Sequence, residues 1–146
     1  MRTLAVAAAA VLLAGCWARA PKRSAVQSKE SNEAAERVVA GLQRALRLEV
    51  WSGLADLLSP EAYEGVDAVK RRVEAAWKAQ DLIALKIELS GLAKDRDVYV
   101  AQVRWTRSTV GRDKQVREEK GRSQLLLKKG EDGGFRILHL QGDPLY

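Results

Sequence analysis

Two side chains of versatile chemistry occur just once each in this 146-residue chain: Cys16 and His139. A single thiol excludes a disulfide within the chain and any cysteine-based zinc site. A single imidazole equally removes a histidine-rich centre, so no metal is expected. Cys16 follows the small residues Ala14 and Gly15, where a thiol is accessible to alkylation. His139 could give or take a proton near neutral pH, provided that a second group positions the substrate. Glu118 and Glu119 are neighbouring carboxylates, but adjacent residues of a strand face opposite sides and cannot work as a paired acid and base. The sequence holds no G-x-S-x-G, no H-E-x-x-H, no phosphate-cradling glycine loop and no C-x-x-C. No catalytic set and no cofactor is therefore expected.

The residues around Cys16 define its setting. Met1-Arg2 precedes an apolar run from Thr3 to Leu13, which leads to Ala14-Gly15-Cys16. This is the charged start, apolar middle and small-residue cleavage site of a signal peptide. At about 1.5 Å per residue the run is roughly half as long as a membrane crossing requires. Leu13-Ala14-Gly15-Cys16 resembles the lipobox of bacterial lipoproteins at all four positions. The resemblance implies cleavage between Gly15 and Cys16, a diacylglycerol thioether on Cys16 and acylation of the new amino terminus. Several acyl chains exceed the two signals that stable anchoring needs, at about 0.8 kcal/mol per buried CH₂. The alternative is a plain signal peptide with a chance cysteine. Trp17, where an aspartate would retain the protein at the inner membrane, implies by the same resemblance an outer-membrane lipoprotein facing the periplasm.

Charge supports the same organisation. The chain has 25 Lys and Arg against 19 Asp and Glu, a net charge of +6. Arg2 belongs to the signal peptide (1–15). Arg19, Lys22, Arg23 and Lys29, against Glu30, belong to a Pro- and Ser-containing tether (16–30). The remaining single domain (31–146) carries only +2. The basic balance therefore points to a bilayer next to the tether and not to nucleic acid.

Within 31–146 the hydrophobic period is first helical and then strand-like. Ser31-Asn32 reads as the cap of a helix with Val38, Val39, Leu42, Leu46, Val50, Leu54, Leu57 and Leu58 in one stripe, ended by Ser59-Pro60. After a short turn broken by Gly65, Asp67 reads as the cap of a second helix, with Val69, Val73, Ala76 and Trp77 inward. Its outer Lys70, Arg71, Arg72 and Lys78 read as a solvated face, since no aromatic interleaves with them. From Asp81 the period becomes two. Ile83, Leu85, Ile87 and Leu89 make a first strand and Tyr99, Ala101, Val103 and Trp105 a second, with Gly91 and Lys94–Asp97 between them. Glu88 and Arg104 are expected as a cross-strand pair. A third strand runs from about Val116 to Lys129, and Gly130–Gly134 turns into a last one from Phe135 to Leu140. Hairpin connections throughout imply an antiparallel sheet with two helices on one face, an α+β fold.

This order resembles the nuclear-transport-factor-2-like (NTF2-like) fold, the cone of ketosteroid isomerase and the SnoaL-like group. Ser59–Val69 is similar to the family's link between helices, and Gly134-Phe135-Arg136-Ile137-Leu138-His139 to its last strand. A cystatin-like helix-on-sheet domain is the nearest alternative. The resemblance implies a concave interior able to hold a small apolar molecule, lined here by Tyr63, Trp77, Tyr99, Trp105 and His139. The bland alternative is that these aromatics are core and His139 lies at its edge. The function expected is a lipid-anchored, non-catalytic binding or scaffold domain, with the membrane, an envelope protein or a small apolar ligand as partner. The competing expectation is a small isomerase or hydrolase using His139.

Overall fold

A computed structural model describes residues 28–146; Gly15 and Cys16, the signal segment and most of the tether lie outside the described residues. The first helix, α1 (Lys29–Leu48), starts three residues earlier than the sequence pattern suggests. Ser28 is its cap, its hydroxyl accepting from the Ser31 amide at 3.2 Å. Ala34, Ala35, Val38, Val39, Leu42, Ala45 and Leu46 form the buried stripe, at the helical spacing. The helix does not run on to Leu58. Glu49 adopts a left-handed conformation (φ 52°) and ends it, a common way to satisfy a helix's last carbonyls. A short α2 (Trp51–Ala55) follows. This break leaves Val50, an expected stripe position, exposed, while Leu54 stays buried.

Residues 57–63 then run alongside the last strand as a covering edge. The Ile137 amide donates to the Leu57 carbonyl at 2.7 Å, the Ser59 amide to Ile137 at 2.9 Å and the Tyr63 amide to Leu138 at 2.9 Å. Gly65 (φ 76°), not Asp67, is the N-cap of α3 (Val66–Ala79). Gly is suited to the positive φ there, and Asp67 contributes its charge to the first turn, where the helix dipole favours it.

Four antiparallel strands follow in meander order: β1 (Gln80–Asp95), β2 (Val98–Gly111), β3 (Val116–Lys129) and β4 (Phe135–Gly142). The first turn is tighter than expected, with Arg96 (φ 55°) and Asp97 alone between β1 and β2. Gly91 lies inside β1, at one of two register shifts in that strand. The other shift, between Leu82 and Ala84, reverses the alternation. Leu82 therefore packs on the core, and Ile83, expected inward, is 54% exposed. The inner face carries Leu85, Ile87, Tyr99, Ala101, Val103, Trp105, Leu125, Leu127, Phe135 and Ile137, all buried in one core with the helical stripe. Helices lie on this face only; the opposite face is open. β1's outer edge is partly covered, since the Ile87 amide donates to the Gln43 side chain on α1 at 2.7 Å. Among the described residues no helix is long and apolar enough to cross a membrane.

Candidate functional site

The concave interior is where a small ligand would sit, and side chains of the chain itself fill it. Trp105 is at its centre, 4% exposed. It lies opposite Gly121 on β3, and the reason for that pairing is steric: a Cβ at 121 would come within 2.2 Å of the indole ring. The indole Nε1 donates to Ser123 Oγ at 3.0 Å, and that hydroxyl donates to the Asp143 carbonyl at 2.7 Å. The ring is thus fixed by a buried polar chain as well as by packing. Tyr99 packs on Phe135 with ring centroids 4.7 Å apart. Trp77 on α3 is half-buried against the core. The segment after β4 turns back over the mouth of the cone, where Leu145 is 2% exposed. Around Trp77, Leu82, Thr109, Leu145 and Tyr146 only about 20 Å³ remains open, room for a single water.

Gln80, Arg107 and Thr109 are polar residues that line that space. Arg107 Nε donates to Glu119 Oε2 at 2.6 Å, its Nη1 reaches the Pro144 carbonyl at 3.4 Å, and its guanidinium lies 4.9 Å from the Trp105 ring centroid. Thr109 is buried, and its hydroxyl has no hydrogen-bond partner among the described residues. Neither Arg107 nor Thr109 stood out in the sequence, although continuing the β2 alternation past Trp105 places both inward. The cluster binds the segment after β4 to the sheet.

His139 is elsewhere. β4 carries a bulge: Ile137 pairs with Leu127 and His139 with Leu126, leaving Leu138 unpaired between them. The extra residue reverses the alternation. His139 therefore shares the face of Leu126, not that of Ile137 and Leu140, where simple alternation from Phe135 would put it. Its ring stacks on exposed Tyr63, with centroids 5.5 Å apart. Its Nδ1 is 3.8 Å from Glu64 Oε1. Glu64 is held by Arg72 at 2.5 Å, and Arg72 Nη2 also donates to Tyr146 Oη at 3.2 Å. Burial pulls the Arg72 pKa down, but the hydrogen bonds with Tyr146 and Glu64 outweigh it and raise the pKa. The structure thus brings Tyr63 and His139 together at the rim, and keeps them apart from Trp77, Tyr99 and Trp105. The space beside His139 is about 20 Å³. Glu118 and Glu119 diverge as expected: Glu119 meets Arg107 and Glu118 faces Ser108. Among the described residues no cluster of three or more His, Cys, Asp or Glu could hold a metal.

No family model and no curated protein sequence matches the chain. Solved structures do match. A ketosteroid isomerase-like protein from Erwinia carotovora atroseptica superposes with a TM-score of 0.67 at 10% identity, over 77% of this chain and 95% of its own. An NTF2-like superfamily protein from Salmonella enterica serovar Typhimurium gives 0.62 at 16%, over 80% and 94%. The chain has the NTF2-like fold. ActVI-ORFA from Streptomyces coelicolor shares it too, with a TM-score of 0.61 at 14% identity over 82% and 99%. At these identities the NTF2-like likeness is one of architecture, and architecture alone does not assign chemistry.

Proposed function

We infer that this chain is a lipid-anchored bacterial envelope protein, tethered through Cys16 to the outer membrane, whose NTF2-like domain is a non-catalytic binding or scaffold module. The anchor rests on the lipobox-like Leu13–Cys16 and the basic tether behind it. The observation that carries the non-catalytic reading is the filled cone. Among the described residues, the gaps beside Trp77 and beside His139 are about 20 Å³ each, against roughly 300 Å³ or more for a site that takes a small organic molecule. For an isomerase or hydrolase built on His139, the space beside the ring is only about 20 Å³ and the neighbouring Glu64 is already engaged by Arg72.

Titration with the apolar fluorophore 1-anilinonaphthalene-8-sulfonate tests the filled cone. The expected result is no saturable one-to-one binding to the native protein and no quenching of Trp105. Stoichiometric binding with tryptophan quenching would restore the ligand-binding reading.

A further inference from the structure

A groove of about 720 Å³ lies not in the cone but on the open face of the sheet. Two cross-strand rows form its floor. In one, Glu88 faces Arg104, which faces Arg122; in the other, Gln102, Gln124 and Gln141 stand in register across three strands. Within the amide row Gln141 Nε2 donates to Gln124 Oε1 at 2.8 Å; beside it Ser90 Oγ donates to the backbone carbonyl of Gln102 at 3.0 Å. The charged row is unbalanced. Glu88 is taken by Lys86 at 2.8 Å and feels Arg104 only as a weaker, more distant charge. Among the described residues, neither the Arg104 nor the Arg122 guanidinium makes a hydrogen bond or an ion pair. Like charges directly opposite each other on neighbouring strands repel, and an anion between them would relieve the repulsion.

The arrangement selects the kind of anion. Two arginines directly opposite each other, with Cβ atoms about 5 Å apart across the strands, can converge their guanidinium groups on one carboxylate. The glutamine row lies about 7 Å further along the strands, the distance spanned by two residues of an extended peptide. Glutamine offers both a donor and an acceptor, which is what a peptide group needs. Among the described residues no aromatic side chain lines the groove, so they offer no platform on which a base could stack.

We propose that this groove docks an extended acidic segment of a partner protein, with a carboxylate between Arg104 and Arg122 and the adjoining peptide groups on Gln102 and Gln124. This goes beyond the anchored-module reading by naming its binding face. The test is fluorescence anisotropy of the intact protein with a labelled heptapeptide alternating Ser and Glu. The control is the same peptide with Gln replacing Glu.

The acidic peptide is expected to bind saturably and less tightly as salt rises. Arg104→Gln with Arg122→Gln is expected to weaken binding at least tenfold, and Gln124→Ala about threefold. Lys70→Gln with Arg71→Gln, on the basic face of α3, is expected to leave binding unchanged. The charge-reversed Arg104→Glu, Arg122→Glu protein should gain affinity for a Ser-Lys peptide, which a merely misfolded variant would not. The proposal is overturned if the Gln control binds equally, if the Arg→Gln protein retains its affinity, or if the α3 variant loses as much. Tighter binding of polyuridylate or dextran sulfate at the same face would also overturn it, marking a general polyanion surface. Apolar-probe binding in the cone would contradict the filled cone and leave the groove standing.

Discussion

Trp105 and Gly121 show how single residues decide what the interior can do. The indole occupies the volume that a ligand would need, and it fits only because the residue opposite has no side chain. Gly121→Ala is expected to destabilise the fold by about 1–3 kcal/mol through overpacking, measured by urea denaturation; an unchanged midpoint would mean that the ring can move aside. Two loop aspartates illustrate a milder effect. The Asp113 carboxyl is held below the usual aspartate range chiefly by its hydrogen bond from Arg117, with help from the Gln115 amide; Asp132 is lowered chiefly by the Gly134 amide, and then by Arg136. A depressed folded-state pKa stabilises above the unfolded value of about 3.9 and is lost as pH falls through the folded one. Both hairpins should therefore loosen only in acid, with little change from pH 5 to 8. Carboxyl NMR titration should place both below 3.9, and values at or above it would contradict these contacts.

At the scale of elements, the sequence pattern was readable wherever one face of an element is buried. The stripe of α1, the inward Val69 and Val73 of α3, and the alternation Tyr99–Trp105 all follow directly from the period. What escaped the pattern are single-residue interruptions. Glu49 carries no helix-breaking signature, so α1 and α2 read as one helix. The shifts at Leu82/Ala84 and across from Leu138 each insert one residue, and in a period of two one residue exchanges the faces. That is why Ile83 is exposed and why His139 leaves the face of Ile137. Glu49 also affords a measurement. A non-glycine residue in the left-handed region is strained, so Glu49→Gly is expected to raise stability by about 0.5–1 kcal/mol after the entropy that glycine adds to the unfolded chain. A drop in melting temperature would show that the Glu49 side chain contributes more than its backbone costs.

Across the whole molecule, the layers divide the work. Helices, the strands' inner face and Leu145 close a single core, while the opposite face remains available with its arginine and glutamine rows. The arrangement of helices on a four-stranded sheet was legible from the order of periods, because each hairpin signal forces an antiparallel neighbour. The state of the cone was not, because whether aromatics line a cavity or fill it depends on the fit between Trp105 and Gly121 across the sheet. The filled cone and the lipobox-like start together make the central claim, an anchored module that works through its surface. The anchor is tested most directly by labelled-palmitate incorporation and membrane fractionation of the wild type beside Cys16→Ala. Label and membrane association are expected in the wild type and loss of both in Cys16→Ala; equal label and equal membrane retention in the two proteins would contradict the anchor.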